Sequence, residues 1–216
     1  NPTPPAPPSP TETPSPTPTS TPSPTPVTAA TCNGGTGNWS NPGSWTPGVV
    51  PNNGNQGQDY DFFFATGTLP QDIVAGVTIN QLFMSGGTLV LANSLTLDVG
   101  LQFSGGSILS GTLNVVGTST QSALMTVSNT TINNSGSYAL TLSSGNLFSG
   151  TRSVFNNTGS VSKNVGTGGV IFNIPLNNNG IFAVGSGSLT LLSSNTVTNS
   201  SLLQADNGGV LVLIGS

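Results

Sequence analysis

Histidine is absent from this chain of 216 residues, and with it the commonest general base and metal ligand. No Ser-His or Cys-His nucleophile can be assembled, which removes most hydrolase chemistry. Cations are almost absent as well: Arg152 and Lys163 stand against Glu12, Asp59, Asp61, Asp72, Asp98 and Asp206. With a net charge of -4 and two cations, nothing is available to neutralise phosphates, so nucleic acid is excluded as a partner and so is binding to the surface of an anionic membrane. Cys32 is the single cysteine, which rules out an internal disulfide framework and a cysteine metal site. It leaves either an intermolecular disulfide or a small free side chain. No methionine opens the chain, and no apolar run has the length of a signal peptide or a membrane span. Both features suit a processed or partial soluble product.

What the chain has instead is glycine, proline and short polar side chains. With 29 Gly, 17 Pro and few Ala, Glu, Lys or Arg, helix is disfavoured and an all-β body is expected. The clearest stretch is Val77 to Val116, VTINQLFMSGGTLVLANSLTLDVGLQFSGGSILSGTLNVV. There Leu89, Leu91, Leu95, Leu97, Val99, Leu101 and Phe103 alternate with small or polar residues, the period-2 pattern of strands with one buried face. The phrase from Phe83 to Val90 returns one interval later as Gln102 to Leu109. A strand-only unit of about 20 residues cannot bury its apolar face alone; stacked copies can. The fold expected is a parallel β-helix, or β-solenoid, with a β-sandwich as the alternative.

Composition divides the chain into three. Residues 1–30 form a Pro/Thr/Ser-rich arm, 31–61 a turn-rich N-terminal cap with two tryptophans, and 62–216 a solenoid of about 18–21 residues per coil. In the arm Pro alternates with Ser or Thr, which dictates an extended polyproline II segment reaching some 80 Å at about 3.1 Å per residue. A flexible interdomain linker fits that composition; so does an O-glycosylated stalk, with Thr3, Ser9, Thr11, Thr13, Ser15, Thr17, Thr19, Thr21, Ser23 and Thr25 as acceptors. Trp39 and Trp45 in the next segment suit a cover over the first open coil, or a sugar platform if an indole is exposed.

Later coils carry an asparagine corner. Phe155-Asn156-Asn157-Thr158-Gly159, Leu176-Asn177-Asn178-Asn179-Gly180 and Val197-Thr198-Asn199-Ser200-Ser201 are spaced 21 apart, and Gly187-Ser188-Leu189 to Gly208-Gly209-Val210 suggests the same interval. Asn at one corner of successive coils can stack its amides in a ladder. Seven coils at about 4.8 Å give a body some 34 Å tall. The apolar stretch Val210 to Ser216 is expected to need cover from another chain or from further residues.

The acids offer little chemistry. Asp59 and Asp61 share a strand face and are weak candidates for a calcium site or for glycosidase carboxylates, but a third partner is missing. Arg152, beside Phe155-Asn156-Asn157 with Lys163, is either a lone surface charge or a guide for a partner's carboxylate. Sequons for N-glycosylation fall at Asn38, Asn129, Asn133, Asn156 and Asn199.

The run Asn38-Trp39-Ser40-Asn41-Pro42-Gly43-Ser44-Trp45, followed by Gly48-Val49-Val50-Pro51-Asn52-Asn53, resembles the opening of β-solenoid modules in secreted bacterial surface proteins, autotransporter-like and filamentous-haemagglutinin-like adhesins. The Asn corners resemble the same modules over most of residues 37–216. That resemblance implies a solenoid behind an N-terminal cap. Together with the arm it points to a structural subunit of an extracellular glycosylated filament, a homopolymer with covalent glycans, no cofactor and no catalysis. The alternatives are an adhesin or surface-display spacer module and a carbohydrate-active enzyme.

Overall fold

The computed structural model describes residues 1–3, 26–34, 37–73, 75–192 and 196–214. The body is a β-solenoid of about eight turns, one more than the repeats suggest. Every described strand pairing is parallel except one: Trp45–Thr46 runs antiparallel beside Thr31 and Cys32. A sandwich of antiparallel sheets is thereby ruled out. The extended arm expected in residues 1–30 lies largely outside the described residues, but its last part, Val27–Cys32, is the first strand of the ladder and pairs with Asp59–Phe64.

Register follows the alternation. Val77, Leu95, Leu113, Ile132, Phe155, Leu176 and Val197 lie one above another, and the step from one turn to the next is not constant along the body. The first six of these are fully buried. Each turn presents the same inward position to the next, and a fully buried Leu, Ile or Phe there is worth about 1.5–3 kcal/mol. The repeated phrase holds its register at both ends, where Phe83 pairs with Gln102, Met84 with Phe103 and Leu89 with Ile108, but shifts at the glycine corner, where Ser85 pairs with Gly105 and not Ser104.

The longest turn, from Ile132 to Phe155, starts a second sheet. Gly145–Asn146, Gly169–Phe172, Ser188–Leu192 and Val210–Ile214 stack there as four parallel strands. The wider cross-section needs larger side chains, and aromatic rings fill it. Phe172 packs edge-on against Phe148, Phe155 and Phe182 with ring centres 5.2, 5.5 and 5.6 Å apart.

One interval differs from the sequence reading. Ser188 pairs with Val210 and Leu189 with Leu211, an offset of 22 and not 21. Leu189 is an inward residue, so the residue beside it must also face in, and Leu211, partly buried, packs against the core while Val210 is 51% exposed. The extra residue is taken up in the turn at Asn207 and Gly208, both with positive φ.

Candidate functional site

The N-terminal end is closed by the loop of residues 37–58. Trp39 and Trp45 are both buried, packed edge to face on each other and on Phe62 at centroid distances of 4.9 to 5.1 Å. Each indole N–H is satisfied: Trp39 Nε1 donates to the Pro51 carbonyl and Trp45 Nε1 to the Trp39 carbonyl. Neither indole can serve as a sugar platform. Asparagine side chains tie the loop to the strands, since Asn52 Oδ1 accepts from Thr78 N and Asn53 Oδ1 from Tyr60 N. Asp72 accepts from both the backbone and the hydroxyl of Ser40, and those bonds, the hydroxyl's first, hold its carboxyl below the usual range.

The acids do not converge. Asp59 and Asp61 sit on the first full rung, but Asp61 accepts from Asn80 Nδ2 at 2.8 Å, and Asp98 is engaged by Asn53 Nδ2 at 3.2 Å. Among the described residues no three His, Cys, Asp or Glu side chains come together to hold a metal. Cys32 is a free thiol, half-buried at the end of the first strand. Thr3 is exposed; Ser9, Thr11, Thr13, Ser15, Thr17, Thr19, Thr21, Ser23 and Thr25 lie outside the described residues.

The asparagine corners build two ladders on opposite faces of the same strands. On the inner face Asn134, Asn157 and Asn178 each donate through Nδ2 to Oδ1 of the next, ending at Asn199, every bond 2.7 Å. On the outer face Asn177 donates to Asn156, Asn156 to Asn133 and Asn133 to Asn114 at 2.8 to 2.9 Å. The inner amides donate toward later turns and the outer amides toward earlier ones, so their dipoles oppose. The side chains of the Asn133 and Asn156 sequons are therefore spent in packing. Arg152 is exposed, with positive φ at a corner.

Lys163 is a residue whose setting the sequence reading missed. It takes an inward position in register with Val184 and is fully buried. Its Nζ donates to the carbonyls of Val165, Gly166 and Ser186 at 2.9 to 3.0 Å, so three backbone acceptors hold the ammonium. Desolvation by burial lowers its pKa from the ordinary lysine value. The unfolded chain then binds this proton more tightly than the folded one, so this group's contribution to stability rises with pH as pH climbs from the folded pKa towards 10.5. Lys163→Met keeps the stem and removes the three bonds. It is expected to lower stability by about 2 kcal/mol at neutral pH and to flatten that alkaline rise. Denaturant unfolding of both proteins across pH checks this, and a variant at least as stable as the parent would contradict it.

No family model, curated protein or solved structure matches the chain.

Proposed function

We propose that the chain is a structural subunit of an extracellular filament, secreted to the cell surface and glycosylated on its proline-rich arm. The observation that carries this reading is the column Ala30, Phe62, Leu82, Leu101, Ser119, Tyr138, Val161, Phe182, Leu203, which runs on one sheet from the first strand to Leu202–Ala205. Rung stacks on rung through parallel backbone pairing that is repeated at every level of this column, so the contact is indifferent to whether the next rung belongs to the same chain or to another copy.

The antiparallel strand beside Val27–Cys32 covers only Thr31 and Cys32; Ala30 is fully buried, which leaves Val27, Thr28 and Ala29 without a strand partner on that side among the described residues. Leu202–Ala205 and Val27–Ala30 are opposite ends of one column. Placing the first on the second of another copy continues the sheet head to tail, a heterologous contact that propagates without closing. The low-charge surface, with two cations in all, adds little long-range repulsion to resist it. The Ser and Thr hydroxyls of the arm are the sites for sugar in this reading, and neither cofactor nor catalysis enters it.

Electron microscopy of the concentrated protein, with mass spectrometry of the arm, tests the proposal. Filaments are expected, with hexose additions on residues 3–25. Dispersed monomers at every concentration would remove it. A second reading, a rigid spacer in an adhesin or surface-display protein, draws on the sealed N-terminal loop, because a capped end blocks part of the face that a neighbour would need. Monomers that remain stiff rods favour that reading.

A further inference from the structure

One column on the outer face departs from the rest of the surface. It runs Thr31, Phe63, Phe83, Gln102, Thr120 and then continues as small or polar residues through Ala139 and Ser162. Two aromatic rings are thus confined to one place on a wall made of hydroxyls and amides. Phe63 is 36% exposed, and its ring stacks on Phe83 at 4.5 Å with only 5° between the planes. Next to this column the chain bends, and the exposed side chains of Ser85 and Ser104 stand on the far side of the bend.

Between the two walls lies a groove of about 460 Å³, within the range of roughly 300–1,000 Å³ usual for small-ligand sites. It crosses five rungs, roughly 20 Å along the solenoid axis. None of the residues that line it is a carboxylate, a lysine or an arginine, and its polar side chains are hydroxyls, the single carboxamide of Gln102 and, at one end, the free thiol of Cys32.

We propose that this groove binds a neutral oligosaccharide in an extended form. Hydroxyl and carboxamide groups both donate and accept, which matches the dual character of sugar hydroxyls. The phenylalanine rings offer apolar surface to the C–H face of a sugar ring. A phosphate, a carboxylate or an ammonium would shed its water for a groove with no opposite charge to replace it. The length along the axis suits a chain of sugars better than a single ring.

Affinity electrophoresis of the full chain, dilute enough to stay dispersed, tests this in gels containing hydroxyethyl cellulose, soluble starch, galactomannan or xylan, with polygalacturonate as the charged control. Retardation is expected in at least one neutral gel and not in polygalacturonate. Phe83→Ala and Ser104→Tyr are each expected to weaken it about tenfold. Ser104→Tyr fills the groove from an exposed position, so its loss of binding at an unchanged unfolding midpoint assigns the effect to the groove. Free migration in all four neutral gels, equal retention by polygalacturonate, or variants that bind like the parent would each overturn the proposal. So would a Phe83→Ala protein that keeps its sugar affinity and loses self-association, since the groove would then be a contact between copies. Because the chain is dispersed in this assay, a failure here leaves the filament reading standing, and the reverse also holds.

Discussion

Gly159→Ala is expected to lower the unfolding free energy by at least about 3 kcal/mol. A Cβ at Gly159 would sit 2.1 Å from the Gly136 carbonyl oxygen and 2.6 Å from the Ser135 carbonyl, inside backbone that cannot swing aside. The same clash recurs at each level: a Cβ at Gly136 would meet the Gly117 oxygen at 2.0 Å, and one at Gly180 the Gly159 oxygen at 2.1 Å. These glycines form a column along one corner, where consecutive turns touch backbone to backbone. Gly169→Ala is the control. Its Cβ meets only the Ser188 hydroxyl, at 3.0 Å, and that side chain can rotate away, so a change within about 0.5 kcal/mol is expected. Urea unfolding of the two variants checks both, and a Gly159→Ala protein within about 1 kcal/mol of the parent would contradict the close stacking of corners.

Asn157→Ala should cost about 4 kcal/mol, the second large effect. Asn157 is fully buried; its Nδ2 donates to Asn178 Oδ1 and to the Ile181 carbonyl, and its Oδ1 accepts from Asn134. Truncation opens a cavity and strips two buried acceptors of this donor, so the lost packing and the lost bonds add. Asn156→Ala, one position away on the half-buried outer ladder, should cost about 1 kcal/mol, because water can replace the missing amide there. Equal losses in the two variants would deny that the inner ladder is the stronger. The inner ladder also has a visible origin. Asn134 Oδ1 finds no hydrogen-bond partner among the described residues, because the position in register on the preceding turn holds Val115.

These two residues also mark how far the sequence could be read. Strand alternation and the repeat at Phe83 and Gln102 follow from a period of two and a fixed interval, and both survive in the register. The corner at Asn156-Asn157-Thr158-Gly159 was legible for the same reason, as the next two turns, through Asn177 and Thr198, keep an equal interval. Two earlier copies, Leu113 to Gly117 and Ile132 to Gly136, were passed over. The step between them is shorter than the step from the second to Phe155, and a fixed-period search loses them when a turn widens to admit the second sheet. Lys163 went unread as a core residue although it alternates with Val161. Charge argues for the surface, and only the three carbonyls brought together by the fold make burial tolerable. The groove was illegible altogether: Phe63, Phe83 and Gln102 are ordinary residues until the register of successive turns places them in one column.

The stacked rungs stand or fall on diffraction from oriented assemblies of the full chain. Copies that extend the sheet along the solenoid axis give a meridional reflection near about 4.8 Å, the spacing between neighbouring strands. The same spacing on the equator would mean that strands stack across the fibre, and no continuous column joins one copy to the next.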